Sequence, residues 1–334
     1  MADRPRVFVS RVLPGGDSPD SPIGRLRAAT DLDLWDGGDP PPAEVLRERL
    51  AQADGVLTML TERIDVALLD AAPHLRVVSN LAVGFDNIDV PACTSRGILV
   101  TNTPGVLDDS TADLAWTLML GTARRLTEVE RRIRAGEWRG WKLKQWLGVD
   151  VHHATLGIVG MGRIGQAIAR RASGFEMKVL YHNRRPIDAA TERRLNAAYR
   201  PLDDLLRESD FVVLQVPYSP ETHHLIDARR IALMKPSAIL VNSTRGGVVD
   251  DAALVDALKR GVIRAAGLDV YENEPKLHPG FLALDNVVLA PHIGSSTEST
   301  RRAMAMTAAQ NLVAALTTRN PANLVNSELR GTSA

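Results

Sequence analysis

Short apolar runs alternate with amphipathic stretches from the start of the chain. RVFVS (6–10), GVLTML (55–60), RVVS (76–79) and ILVTN (98–102) read as buried strands, with helices over 43–52 and 64–71 between them. Strand–helix alternation of this kind predicts a parallel sheet covered by helices. The pattern breaks at Thr103-Pro104-Gly105. A long helical run follows, predicted over 110–135, with Ser110 or Thr111 as its cap, Asp113 in its first turn and Gly136 at its end.

A second alternating series opens at TLGIVG. Its strands are predicted at 155–160, 178–182, 211–216, 238–242, 265–269 and 287–290. The helices between them start near Gly162, Leu202, Asp227 and Asp250, and a last long helix covers 297–316. The chain therefore reads as two Rossmann-like, doubly wound parallel-sheet α/β domains, with the active site expected in the cleft between them. The first domain is discontinuous, 1–103 plus 297–334. The second, 104–296, is the dinucleotide-binding domain.

Gly160-Met161-Gly162-Arg163-Ile164-Gly165 lies between a predicted strand and a predicted helix. A glycine-rich motif is weak alone and strong in that setting. Gly160 permits the tight turn, Gly162 lets backbone approach a pyrophosphate, and Gly165 allows close helix packing. The helix start, with Arg163 and Ile164, offers N–H groups to the phosphates. The next strand ends in YHNRRP (181–186). An acid there would hold a ribose hydroxyl and repel a 2′-phosphate. Asn183 removes the repulsion, and Arg184 and Arg185 can pair with phosphate oxygens. The expected cofactor is NADP(H), with NAD(H) possible.

Polar residues gather at the ends of later predicted strands: Ser243, Thr244 and Arg245, then Asp269, then Glu274, then His292 and Gly294. In open α/β sheets ligands bind outside the carboxyl ends of strands. Arg245 can hold a carboxylate and polarise a carbonyl. His292 can exchange a proton near neutral pH. Glu274 can orient His292 and favour its charged form. A nicotinamide would supply the hydride. Together these residues describe a reductase of 2-oxo acids, with Ser243, Thr244 and Gly294 on the cofactor side.

Composition narrows the reading. The 334 residues carry 40 Lys+Arg and 40 Asp+Glu, so no net field favours nucleic acid. Cys93 is the only cysteine, which excludes a multi-cysteine metal site, and no metal is expected. With no signal-peptide pattern and no membrane-length apolar stretch, a cytoplasmic protein is expected. Trp138, Trp141 and Trp146 cluster after the first long helix and mark a contact surface.

The sequence resembles the D-isomer-specific 2-hydroxyacid dehydrogenases over nearly its whole length. The likeness is carried by LAVGFDNIDV (81–90), TNTPGVLDDSTADLAW (101–116), TLGIVGMGRIGQAIARR (155–171), VNSTRGGVVD (241–250), GLDVYENEP (267–275) and APHIGSST (290–297). Within the family it is most similar to the glyoxylate/hydroxypyruvate reductases. The resemblance implies Arg245, Glu274 and His292 as the catalytic three. Of the acids near Glu274, only Glu274 directly precedes proline, as in the family motif. It also implies that Val83 and Gly84 hold the substrate carboxylate through backbone N–H groups, that Asp269 contacts the nicotinamide end, and that Pro217 lines the adenosine site. A homodimer formed through the nucleotide-binding domains is implied as well, with Trp141 reaching toward its partner. Alternatives are a D-lactate, 2-ketogluconate or phosphite-type dehydrogenase, or a non-enzymatic NAD(P)-sensing protein like the corepressors built on this fold.

Overall fold

The apolar runs form two parallel sheets in the computed structural model, which describes residues 4–331. The chain divides into two compact units, one running to Leu107 and resuming at Ser296, the other spanning Asp108–Ser295. Among the described residues no helix is long and apolar enough to cross a membrane.

The first unit holds β1 (Arg6–Val9), β2 (Asp31–Leu34), β3 (Gly55–Thr58), β4 (Val77–Asn80) and β5 (Leu99–Thr101), in the order β2-β1-β3-β4-β5. Every pairing is parallel. The strands are short and nearly all apolar because both faces are covered. One face packs Phe8, Val56, Val78 and Val100 against Leu46, Leu50, Leu69 and Cys93. Helix Glu298–Thr318 packs against β3, β4 and β5, and helix Pro22–Ala29 packs against that helix.

The second unit holds β6 (Thr155–Val159), β7 (Lys178–His182), β8 (Ala197–Tyr199), β9 (Phe211–Leu214), β10 (Ile239–Asn242), β11 (Ala265–Leu268) and β12 (Val287–Leu289). Their order is β12-β11-β10-β9-β6-β7-β8, again parallel throughout. One core packs Ala115, Met119, Ile168 and Ala172 against Ile158 and Val213. The other packs Leu205, Ile231, Leu254 and Leu258 against Leu214 and Leu240. Strand order reverses between β6 and β9, leaving a crevice at their carboxyl ends, where this architecture binds ligands.

The structure departs from the pattern-based reading at particular places. The helix predicted over 110–135 is two helices, Asp108–Ala123 and Leu126–Arg134. Arg125 between them is left-handed, with φ 56°, and its guanidinium makes two 2.7 Å bonds to the buried carboxylate of Glu128. Asp108 and Asp109 occupy the first turn, so Ser110 and Thr111 lie inside the helix and Asp113 lies beyond that turn. Strands β2 and β8 and helices Pro22–Ala29, Val90–Ser95 and Ala189–Leu195 are additional elements. β2 reads DLDL at a sheet edge and β8 has three residues, so neither carries an apolar run.

Gly165 lies on the first turn of helix Arg163–Ala172, and a Cβ there would overlap the carbonyl of Gly160. Gly174 faces open space. Overpacking of this kind costs about 1–3 kcal/mol. Gly165→Ala should lower the thermal unfolding midpoint by roughly 5 °C, whereas Gly174→Ala should shift it little; differential scanning calorimetry of the two variants checks this.

Candidate active site

The turn after β6 has the shape a phosphate cradle needs. Gly160 is left-handed, with φ 106°, and a Cβ would overlap the Gln215 carbonyl at the end of β9. Over Gly162, the N-cap of helix Arg163–Ala172, there is nothing within 4 Å. The first N–H groups of that helix, from Arg163, Ile164 and Gly165, have no partner inside the helix and form the positive end of its dipole. The open approach at Gly162 fits a dinucleotide pyrophosphate. The Arg163 side chain is 2.7 Å from Asp108 Oδ2.

Asn183 does more than remove a negative charge. Its Oδ1 accepts from the Met161 N–H at 2.7 Å and ties the end of β7 to the glycine turn. Arg184 and Arg185 follow it, both exposed. The Tyr181 hydroxyl fixes their loop, donating to Glu192 at 2.7 Å and accepting from the Ile187 N–H at 3.0 Å. Burial, together with the Glu192 hydrogen bond, pushes the Tyr181 hydroxyl up to about 12. Pro217 is exposed after β9, with its carbonyl bonded to Thr222. Ser243 accepts from Gln215 Nε2 at 2.7 Å, and the Thr244 hydroxyl donates to the Val216 carbonyl. Those two residues hold the ends of β9 and β10 together.

Arg245, Glu274 and His292 belong to segments following β10, β11 and β12 respectively. His292 Nδ1 lies 2.7 Å from Glu274 Oε2. The other carboxylate oxygen, Oε1, accepts from the Tyr271 N–H at 3.0 Å. Burial alone would raise the Glu274 carboxyl, but the His292 hydrogen bond and charge, with help from Tyr271 and Arg245, bring it below its ordinary range. Arg245 is half-buried and donates to the Thr244 carbonyl at 2.9 Å. The next residue must be glycine: a Cβ on Gly246 would overlap the Tyr271 carbonyl.

His292 has left-handed backbone, φ 55°, and Asp269 holds it there. The Asp269 carbonyl accepts the His292 N–H at 2.8 Å. Its carboxylate accepts from Ile293 N–H at 2.7 Å and Gly294 N–H at 2.9 Å. The side chain is buried, which raises its carboxyl above the usual range against those two hydrogen bonds. Tyr271 braces the same edge from below, its hydroxyl 2.9 Å from the Ala290 carbonyl, and Ser110 bonds the Gly294 carbonyl. Neither Tyr271 nor Ser110 stood out in the sequence as a site residue, because each acts through backbone of a distant segment.

In the first unit, Val83 and Gly84 lie in a loop after β4. Asn102 Nδ2 donates to the Val83 carbonyl at 2.8 Å, Asn80 Nδ2 to the Gly84 carbonyl at 2.8 Å, and the Thr103 N–H to the Ala82 carbonyl at 2.9 Å. In a trans peptide the N–H points opposite to the carbonyl. The N–H groups of Val83 and Gly84 are therefore turned away from Thr103 and Asn102. Asn80 and Asn102 were missed in the sequence, where nothing distinguishes them from other strand-end polar residues.

Comparison with known proteins places the chain. The sequence pattern of the D-isomer specific 2-hydroxyacid dehydrogenase NAD binding domain matches residues 116–294. A glyoxylate reductase of Thermococcus kodakarensis is 51% identical over 330 residues, covering 98% of this chain and 97% of the relative. Among solved structures, a glyoxylate reductase from Paecilomyes thermophila superimposes with a TM-score of 0.88 at 32% identity, covering 98% of this chain and all of that one. An NADPH-dependent glyoxylate/hydroxypyruvate reductase from Sinorhizobium meliloti, solved with NADP and malonate, gives 0.84 at 33% identity, covering 99% of this chain and 100% of that one. A two-sheet α/β chain with a glycine-rich turn and a braced His–Glu pair thus has full-length relatives among these enzymes, and it belongs to the D-isomer specific 2-hydroxyacid dehydrogenases, oxidoreductases that depend on a nicotinamide cofactor.

Proposed function

We propose that this enzyme reduces glyoxylate to glycolate and hydroxypyruvate to D-glycerate, with NADPH preferred over NADH. The observation that carries the reading is the 2.7 Å His292–Glu274 pair on the strand-end edge that also bears Arg245. When bound, the nicotinamide supplies the hydride that reaches the carbonyl carbon. Arg245 holds the oxo acid and polarises its carbonyl. His292 delivers a proton to the carbonyl oxygen, which becomes the hydroxyl of the product. With Nδ1 engaged by Glu274, Nε2 is the nitrogen left for substrate. Glu274, kept ionised, orients the His292 ring. Asp269 sets the position of His292 and lies on the nicotinamide side. The assignment of Val83 and Gly84 to the substrate carboxylate rests on the sequence resemblance and is supported by the orientation of their N–H groups. Ser243, Thr244, Gly294 and Pro217 are assigned to the cofactor on the same resemblance and strand-end placement.

NADPH preference is assigned to Arg184 and Arg185, exposed on a loop that Tyr181 keeps in place. The relative from Sinorhizobium meliloti, named as NADPH-dependent, supports that choice. A homodimer formed through the second unit is supported by its exposed apolar segment, in which Trp141 is 80% and Leu143 74% exposed, with Trp138 and Leu147 nearby. Large exposed apolar patches mark association surfaces.

Three outcomes test this reading. His292→Ala should cut kcat for glyoxylate about 10²–10⁴-fold while leaving the Kd for NADPH unchanged; equal turnover removes the acid/base assignment. Replacing Arg184 and Arg185 together by Ala should cost roughly a hundredfold in kcat/KM with NADPH and leave NADH kinetics near wild type. A preference that survives in steady-state assays with both cofactors means the arginines are only solvated charge. Sedimentation velocity should give a dimer at micromolar concentration that Trp141→Ala combined with Leu143→Ser weakens; a monomeric wild-type protein would contradict the association.

A further inference from the structure

Three metal-ligating side chains converge in the second unit, apart from the His292–Glu274 pair. His223 and His224 lie in the segment after β9, and Glu272 lies after β11. One ligand atom from each lies within 4.8 Å of the other two. His224 Nε2 and Glu272 Oε1 are already 2.8 Å apart. The sequence alone hides this cluster, because Glu272 is remote from the two histidines and only the sheet, in which β9 and β11 flank β10, brings the segments together.

The two histidines are arranged in an unusual way. Consecutive side chains on extended backbone point to opposite sides. Here the imidazoles stack, with centroids 3.9 Å apart and planes 24° from parallel. His224 has φ 47°, a left-handed conformation that non-glycine residues seldom adopt. Hydrogen bonds lock it in place: the His223 N–H donates to Ser219 at 2.9 Å and the His224 N–H to Gly247 at 2.8 Å. Core packing does not account for the strained turn, since His223 is exposed and His224 half-buried. Its effect is to present two imidazole edges on the same side, toward a carboxylate.

A further contact points the same way. Tyr218 Oη lies 3.2 Å from His223 Nδ1. A ligating histidine commonly gives its other ring N–H to such an outer partner, which fixes the tautomer and the ring. With Nδ1 so engaged, Nε2 is the ligating nitrogen. Gly247 makes room for this tyrosine, since a Cβ there would sit 2.7 Å from its ring.

We propose that His223, His224 and Glu272 form a binding site for a borderline divalent transition cation of the Zn²⁺ type, with water completing the coordination. Two imidazoles and a carboxylate are the protein ligands of an open zinc centre, and imidazole selects Zn²⁺, Ni²⁺ or Cu²⁺ over Mg²⁺ and Ca²⁺. Metal–ligand distances of about 2.0–2.2 Å set tetrahedral donor atoms roughly 3.3–3.5 Å apart. His224 and Glu272 need to part by roughly half an ångström or slightly more, and the exposed His223 ring closes the third side by a small shift that keeps its Tyr218 contact. A bound ion ties the segment that follows β9 to the segment carrying Glu272 and Glu274. The inference rests on none of the substrate or cofactor assignments above.

Isothermal titration of the chelator-treated full-length protein with ZnCl₂ tests it. One saturable site per chain is expected, with micromolar or tighter affinity. At a hundredfold excess over Kd the unfolding midpoint should rise by roughly 5–10 °C. His223→Ala and Glu272→Gln should each weaken binding at least tenfold. His153→Ala, at the other pair of adjacent histidines, and His292→Ala should leave it intact. MgCl₂ should give no comparable heat. Absence of a saturable site overturns the proposal, and so does wild-type zinc affinity in the folded His223→Ala protein, because the ion then sits elsewhere.

Discussion

The buried carboxylate of Asp269 is the fixed point of the edge that carries His292. Its two oxygens take the N–H groups of Ile293 and Gly294, and its own carbonyl takes that of His292. A charge buried this deeply is tolerated only when its hydrogen-bond demand is met. Here those bonds also settle where the chain goes after β12. They hold His292 in a left-handed turn that ordinary backbone preference disfavours, and from that turn its ring meets Glu274. A change of the Asp269 side chain would therefore act on the His292–Glu274 pair through the backbone of Ile293 and Gly294. Tyr271 shares the task, its backbone on Glu274 and its hydroxyl on the carbonyl of Ala290.

Special backbone geometry recurs at several of the turns that follow the strands. Gly160 turns left-handed so that β6 can pass beneath Gln215, and Gly246 lets Arg245 follow β10 closely against Tyr271. Arg125 and His224 adopt the same left-handed region as full side chains, each locked by hydrogen bonds nearby. The parallel ladders supply the rigidity against which these turns are held. Strands covered on both faces cannot slip register without exposing apolar side chains.

Much of this was legible in the sequence because it depends on local pattern. The glycine turn lies between an apolar run and a helix start, and Gly160 and Gly165 each have a steric reason while Gly162 faces open space. Strand-end residues such as Arg245 and His292 could be placed once the strands were placed. Helix starts expected near Asp227, Asp250 and Thr297 coincide with bonded N-caps, whereas the cap expected at Ser110 or Thr111 falls inside helix Asp108–Ala123. What stayed hidden depends on partners far apart in the chain. The break at Arg125 has no glycine or proline to announce it; the buried Glu128 draws it. Asn80 and Asn102 clamp one loop only because β4 and β5 are neighbours. Asn183 is polar where an acid was looked for, yet its bond to Met161 is visible only in three dimensions.

Helix Glu298–Thr318 has a consequence for how the protein is made. It packs on strands β3, β4 and β5, which the ribosome finishes some two hundred residues earlier. Asn326 then bonds backbone of β5, stitching the late segment to the early sheet. During synthesis that sheet waits with an apolar face uncovered, while the second unit emerges as one continuous piece and can complete both of its cores. Nascent domains fold as units when their parts are present. The connectivity therefore gives the second unit all of its parts before helix Glu298–Thr318 emerges, and makes the unit that contains the N-terminal strands the last to be complete.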